Sequence, residues 1–356
     1  MKKRLGLIYG GKSAEHEVSL STARAVTQAI DFERYEVVPV YITYDGEWRK
    51  GQPLERPVAK IEDLRLEGDG TNKADSIHDF LNGESGIPDV IFPLLHGTNG
   101  EDGTVQGFFE VMNIPYVGNG VLASSAGMDK VVMKQLFAQI GLNQVPYVHF
   151  IRSGWAQNSN QLVEQMEQEL GYPMFVKPAN LGSSVGISKA VDRNSLISAI
   201  DIALKFDRRI IVEQGVTARE IEMGVMGNDL PKCSVAGEIK PVTDFYDYEA
   251  KYKDGNTMLV IPAEVPQTVL DKMKEMAIHA YKVLDCSGLV RADFFVNKND
   301  EVLINEVNTM PGFTPTSMFP LLWQKTGVTY PELIDELIEL ALERHAEKQK
   351  IQYTMD

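Results

Sequence analysis

Four residues late in the chain carry the strongest chemical signal. Arg291 and Asp293 stand in one apolar stretch, Leu289–Val296, and Glu306 and Asn308 stand in and just beyond another, Glu301–Val307. Asn299-Asp300 between the stretches is a tight-turn pair. A two-residue turn there sets Asp293 opposite Glu306 and Arg291 opposite Asn308. Side chains alternate along a strand, so all four then point to one face. Two carboxylates and an amide oxygen beside an arginine are hard-oxygen ligands of the kind Mg²⁺ takes alongside phosphate. The competing reading is a charge pair on a solvated sheet face. Phe294, Phe295, Leu303 and Ile304, with the Met310-Pro311-Gly312 turn that follows, favour a buried strand pair.

Three further groups have suitable types and spacing. Lys177 ends an apolar strand pattern and precedes a loop rich in glycine and serine, Asn180 to Gly186. A lysine there can neutralise phosphate while loop N–H groups and the hydroxyls of Ser183 and Ser184 bind its oxygens; an exposed flexible hairpin fits as well. Glu213 to Val216 closes another strand and can offer a carboxylate and backbone groups to a purine and a ribose, or be a plain strand end. The loop His96 to Gly103 packs a histidine, two acids and three glycines at a strand end. It reads as a substrate loop or as a turn whose histidine caps a helix. Glu15 precedes a helix starting near Val18, where it can hold an ammonium group or simply favour the helix dipole.

Two matches are decoys. Gly6 to Ser13 fits the phosphate-loop pattern with Lys12, but Leu7, Ile8 and Tyr9 between its glycines are a strand and leave no loop to wrap a phosphate. Gly118-Asn119-Gly120 imitates a dinucleotide fingerprint, but no acid follows at the spacing that would hold a ribose.

The elements that must position these groups fall into three parts. Residues 1–125 alternate strands (Arg4–Tyr9, Glu36–Ile42, Asp89–Leu94) with helical patterns, as in an open parallel sheet with its ligand crevice beyond the strand ends. Residues 126–215 form a smaller α+β unit, with a helix at Lys130–Ile140 and strands at Tyr147–Ile151, Pro173–Lys177 and Ile210–Gln214. Residues 216–356 add strands at Glu220–Val225 and Val235–Ile239, a polar segment at 240–257, a helix at Pro266–Leu284, the strand pair above and a terminal acidic helix, Pro331–His345. The fold class is α/β.

The 356 residues carry 35 basic and 50 acidic side chains, a formal charge of −15. With 44% apolar and 24% charged residues, the composition is that of a globular chain with a substantial core. The acidic balance argues against binding duplex nucleic acid or an anionic membrane. It leaves small anions open, because a ligand feels its pocket. Two cysteines, Cys233 and Cys286, with no metal spacing, and no apolar run long enough for a signal peptide or a membrane span, imply a cytoplasmic protein.

In this order the motifs resemble those of the D-alanine–D-alanine ligases of the ATP-grasp superfamily, over nearly the whole chain. Gly10 to Ser19 resembles the family's amino-terminal signature and His96 to Gly103 its second. Lys177 to Gly186 resembles the grasp loop and Tyr246 to Tyr252 the mobile ω-loop. Arg291 to Asp293, Asn305 to Asn308, Pro311-Gly312 and Ser317 resemble the metal and acyl-transfer motif. The resemblance implies an ATP-grasp fold, with a substrate-binding domain at 1–125, a lid domain at 126–215 and a catalytic domain at 216–356. It implies that Lys130, Phe175, Lys177, Ser183, Ser184, Glu213, Val216, Glu220, Phe295, Asn305 and Glu306 bind ATP. Asp293, Glu306 and Asn308 would hold two Mg²⁺ or Mn²⁺ ions. Glu15, within a Glu15–Ser183–Tyr252 set and with Val18 and His96, would bind the first D-alanine. Lys251, Ser317 and the Met318 backbone would bind the second, and Arg291 with the Gly312 N–H would stabilise the tetrahedral oxyanion. It further implies a homodimer that makes a peptidoglycan precursor. Gln214 stands where some members have an adenine-contacting lysine. Tyr252 resembles the dipeptide-forming members, so Tyr252→Phe is expected to raise ester formation with D-lactate; an unchanged product ratio would count against this.

Overall fold

The computed structural model describes residues 2–68, 73–82, 86–240 and 258–355. An amino-terminal sheet has the order β3-β2-β1-β4. Its strands are β1 (Lys3–Gly10), β2 (Tyr35–Ile42), β3 (Trp48–Lys50) and β4 (Val90–Pro93). β1 runs parallel to both β2 and β4, and only β3 is antiparallel. β1 is a nearly continuous apolar run because both of its faces are covered. On one face Leu5, Leu7 and Tyr9 meet Leu20 and Ala23 of α1 (His16–Ala29). On the other, Ile8 packs with Phe80 of α2 (Lys73–Asn82) and with Val105 and Phe109 of α3 (Thr104–Val111). Gly10 ends β1 at φ 91°, and a Cβ there would lie 2.2 Å from the Ile42 carbonyl oxygen, so only glycine lets the chain turn toward α1.

α4 (Val121–Met128) and α5 (Lys130–Gln139) lead to a central antiparallel sheet, order β5-β8-β6-β7. It comprises β5 (Tyr147–Ile151), β6 (Met174–Pro178), β7 (Ser188–Ala190) and β8 (Arg209–Gln214), backed by α6 (Arg152–Glu169) and α7 (Arg193–Ala203). β6 and β7 pair at Val176 and Ser188, which makes the glycine–serine loop the tip of a hairpin, as expected. Asp129 caps α5 through the N–H groups of Val131 and Val132, and the Lys130 N–H donates to Ala179 O at 3.0 Å. The start of α5 is thereby fastened to the root of that loop.

The third sheet is antiparallel throughout, with the order β11-β10-β9-β12-β13. Its strands are β9 (Ala218–Gly227), β10 (Lys232–Lys240), β11 (Met258–Val260), β12 (Gly288–Asn297) and β13 (Val302–Asn308). α8 (Gln267–Val283) packs on one face, and Met133 and Phe137 of α5 join the same core. α9 (Met318–Thr326) and α10 (Tyr330–Lys348) follow. Leu333, Leu337 and Ile338 of α10 return to the amino-terminal sheet.

The turn between β12 and β13 differs from the two-residue turn expected. Asn297 N–H donates to Glu301 O, Phe294 faces Ile304 and Phe295 faces Leu303, so the loop is one residue longer than expected and the register next to it is shifted by one. Asp300 takes φ 60°, the left-handed conformation of a three-residue hairpin loop. A β-bulge then inserts Asn305 and restores Asp293 to Glu306 and Arg291 to Asn308. The pairing inferred for the site is present, by a different route.

Among the described residues, no helix is long and apolar enough to cross a membrane.

Candidate active site

A cavity of about 810 Å³ opens between the central and third sheets. Alternation along β12 sends Ala292, Phe294 and Val296 into the core and leaves Asp293 and Phe295 on the cavity side. The bulge gives β13 two consecutive cavity residues, Asn305 and Glu306, between the buried Ile304 and Val307. Arg291 is buried and grips Asp293 with both arms, Nε to Oδ1 and Nη2 to Oδ2, each 2.7 Å. Its Nε also stands 2.9 Å from Glu222 Oε2. Burial opposes the guanidinium charge, but Asp293 and Glu222 outweigh it and push its pKa further up. Asn308 donates to Asp293 Oδ2 at 2.8 Å.

The opposite wall carries the cations. Lys130 Nζ lies 3.4 Å from Glu306 and donates to Leu181 O. Lys177 Nζ lies 2.6 Å from Glu213 Oε2, and Lys134 Nζ stands 2.9 Å from Glu213 Oε1. Burial alone would raise the Glu213 pKa; the two lysines overcome it and hold the carboxyl at about 2. Burial lowers the Lys177 pKa, but Glu213 and Glu306 outweigh that and raise it. Oε1 of Glu213 is buried and accepts no aligned hydrogen bond among the described residues. That oxygen faces the Lys134 ammonium, and Oε2, on the Lys177 side, is the one turned toward the cavity. Phe175, Val216, Glu220 and Phe295 line the same cavity. Gln214 also lines it but donates its amide to Leu170 O at 2.7 Å, so its side chain is committed elsewhere.

Ser183 and Ser184 line the cavity from the loop tip, at φ 52° and 58°. Ser183 donates its hydroxyl to Glu15 Oε1. Gly97 approaches Glu15 so closely that a Cβ would lie 2.8 Å from its Oε2. The loops after β1, β4 and β6 therefore meet at this one carboxylate. Glu101 accepts from Gly97 N and faces His96 Nδ1 at 3.5 Å. Burial opposes the His96 imidazolium, but Glu101 and then Glu15 outweigh it and raise its pKa. Val18, on the first turns of α1, is half-buried.

Ser317 is the N-cap residue of α9, and a Cβ on Gly312 would lie 3.2 Å from its Oγ. A helix N-terminus offers N–H groups to a carboxylate. The Ser317 hydroxyl is engaged with Thr314, and the Met318 side chain is buried against Ile239 and Leu322. Lys251 and Tyr252, with the rest of 241–257, lie outside the described residues.

Lys134 and Glu222 were not identified from the sequence. A signal for Lys134 exists: it follows Lys130 by one helical turn on an otherwise apolar face of α5. Lys12, from the rejected phosphate-loop pattern, is exposed, and Gly6 to Gly10 of that pattern lie inside β1.

The family model described as D-ala D-ala ligase N-terminus matches residues 4–119, and that described as D-ala D-ala ligase C-terminus matches 136–339. The chain is 58% identical to a D-alanine–D-alanine ligase of Bacillus licheniformis, covering 99% of this chain and 100% of that protein. It is 56% identical to one of Listeria monocytogenes, covering 100% of both. Among solved structures, the D-alanine–D-alanine ligase from Coxiella burnetii matches with a TM-score of 0.81 at 31% identity, covering 98% of this chain and 96% of that one. The VanG D-Ala:D-Ser ligase from Enterococcus faecalis matches at 0.80 and 31%, covering 96% and 100%. With both family models in order along the chain and relatives this similar over their full length, the chain belongs to the D-alanine–D-alanine ligase family.

Proposed function

We propose that this chain joins two D-alanines using ATP, through a D-alanyl phosphate, to make a peptidoglycan precursor. The observation that carries the reading is the meeting of the grasp loop with Glu15 through Ser183, beside a cavity walled by lysines on one side and by Asp293, Glu306 and Asn308 on the other.

Phe175, Val216, Glu220 and Phe295 enclose the nucleoside, and the cavity side of the Glu213 carboxylate faces the purine amine. Lys130 and Lys177 offset the charge of the transferring phosphoryl group. Asp293, Glu306 and Asn308 are a hard-oxygen set suited to Mg²⁺ or Mn²⁺, and would hold two ions; bound there, the metal neutralises phosphate charge. Glu15, with Val18 and His96 nearby, holds the ammonium of the first D-alanine, whose carboxylate attacks the γ-phosphate. The helix start at Ser317 and Met318, with Lys251, holds the carboxylate of the second. Its amine attacks the acyl carbon, Arg291 and the Gly312 N–H receive the oxyanion, and phosphate leaves. Such a donor contributes roughly 3–4 kcal/mol to the barrier reduction. An acyl phosphate hydrolyses in water, so the Ser183 loop closes over it. On this reading the three parts, 1–125, 126–215 and 216–356, are the substrate, lid and catalytic domains.

The enzyme is cytoplasmic and homodimeric on this reading. Val111, Val121 and Leu122, exposed on the neighbouring α3 and α4, offer an apolar face for a second copy. A second reading, with D-serine as acceptor, draws on the VanG D-Ala:D-Ser ligase neighbour, and D-lactate is the other alternative acceptor. Incubation with ATP, Mg²⁺ and D-alanine, L-alanine, D-alanine plus D-serine or D-alanine plus D-lactate separates them. Phosphate and dipeptide form with D-alanine alone; absence of phosphate release with D-alanine would overturn the proposal.

A further inference from the structure

Lys134 lies outside every motif and does not line the nucleotide cavity, yet it is bound to a residue that does. Its side chain is 1% exposed, against 3% for Glu213 and 12% for Lys177. It rises from α5 behind β8, with its ammonium 2.9 Å from Glu213 Oε1 and 5.7 Å from the centre of the Tyr147 ring. Glu213 thus has one cation on each oxygen, one sealed behind the strand and one in the cavity.

We propose that Lys134 is a positioning residue for nucleotide binding: the permanent counter-ion of Glu213, which fixes that carboxylate in the purine pocket and frees Lys177 for the ATP phosphates. The proposal rests on the ATP-binding reading above. One carboxylate shared by two lysines leaves a net positive charge, and only one of the two lysines has a path to a ligand. When Lys177 turns to a phosphate, Glu213 would become a buried, unpaired carboxylate if Lys134 were absent, and such groups are strongly disfavoured. Without Lys134, Glu213 would therefore retain Lys177, and the phosphates would lose a cation. Lys134 cannot make the reverse exchange, because it is enclosed and rests against the Tyr147 ring. The geometry divides the labour: Lys134 stays and Lys177 moves.

The test compares full-length wild type with Lys134→Met, Lys134→Arg, Glu213→Gln and the Lys134→Met/Glu213→Gln double substitution. The readouts are kcat, KM for ATP and KM for D-alanine, with ATP affinity by equilibrium dialysis. Lys134→Met is expected to raise KM for ATP about tenfold or more, leaving KM for D-alanine within about threefold, while Lys134→Arg restores most of the loss. Because Lys134 acts through Glu213, adding Lys134→Met to Glu213→Gln is expected to change ATP affinity less than about threefold. A kcat loss at unchanged KM for ATP, or effects that multiply in the double substitution, would overturn the proposal. If Lys134→Met fails to fold, Glu213→Gln against the double substitution carries the same test, since neither leaves a buried carboxylate short of a cation. Equilibrium dialysis reads ATP affinity without turnover, so failure of the ligase reading and failure of this one are distinguishable.

Discussion

The hydroxyl of Ser183 donates to the carboxylate of Glu15 across 168 residues of sequence. It joins the tip of the β6–β7 hairpin to the start of α1. A lid that ends on the residue proposed to hold the first substrate senses whether that substrate is in place. Ser183→Ala removes a hydrogen bond to a charged group, worth about 1.5–3 kcal/mol. It is expected to lower kcat/KM for D-alanine roughly 10- to 100-fold and to raise the share of ATP hydrolysed without dipeptide. Parallel assays of phosphate and dipeptide check this; a phosphate-to-dipeptide ratio equal to wild type would contradict it.

Lys177 and Lys12 give opposite expectations. Lys177 is enclosed beside Glu213 in the cavity, whereas Lys12 is exposed on the loop after β1. Lys177→Ala is expected to depress kcat/KM for ATP by about two orders of magnitude or more, and Lys12→Ala to change it by less than about threefold. Steady-state kinetics on both variants decide; a severe Lys12→Ala would restore the phosphate-loop reading.

Asn119 binds separate parts of the chain together. Its buried amide donates to Leu289 O at 2.7 Å and to Thr309 O at 2.8 Å, and accepts from Ser287 N at 3.0 Å. Asn119→Ala leaves two carbonyls and one N–H without these partners in a buried setting. The expected cost is about 2–4 kcal/mol, seen as a lower midpoint in denaturant at unchanged m-value.

Glu213 links stability to pH. Its folded pKa of about 2 lies below the ordinary carboxyl value of 4.5, so the unfolded chain binds the extra proton. This contribution is fully present above the unfolded value and is lost as pH falls from about 4.5 through 2. Within that window it steepens the fall in stability by up to about 1.4 kcal/mol per pH unit. Denaturant midpoints of wild type and Glu213→Gln at pH 3 and 5 should converge toward the acid end. Parallel curves would refute the assignment.

Much of this arrangement was legible because it is local. Strand periodicity placed β1, β5 and β12, and the grasp-loop hairpin followed from Lys177 and the glycines after it. The pairing of Asp293 with Glu306 was reached from an assumed two-residue turn, whereas the chain uses a longer loop and a bulge whose shifts cancel. A period-two pattern cannot show two shifts that sum to zero. Lys134 was missed for another reason. A lysine on an amphipathic helix reads as solvated, and its burial depends on Glu213, which is distant in sequence. Asn119 stood inside a spurious dinucleotide pattern, and its partners are distant too.

The bulge at Asn305 has a consequence for how this site tolerates change in chain length. Removing one residue from a strand ordinarily reverses which side chains face the core for everything beyond it. Here Ile304 and Val307 both face the core with two residues between them. Deleting Asn305 would leave Ile304, Glu306, Val307 and Asn308 on their present faces and opposite their present partners. A single-codon deletion at this point is therefore register-neutral, and subtracts one amide from the nucleotide pocket.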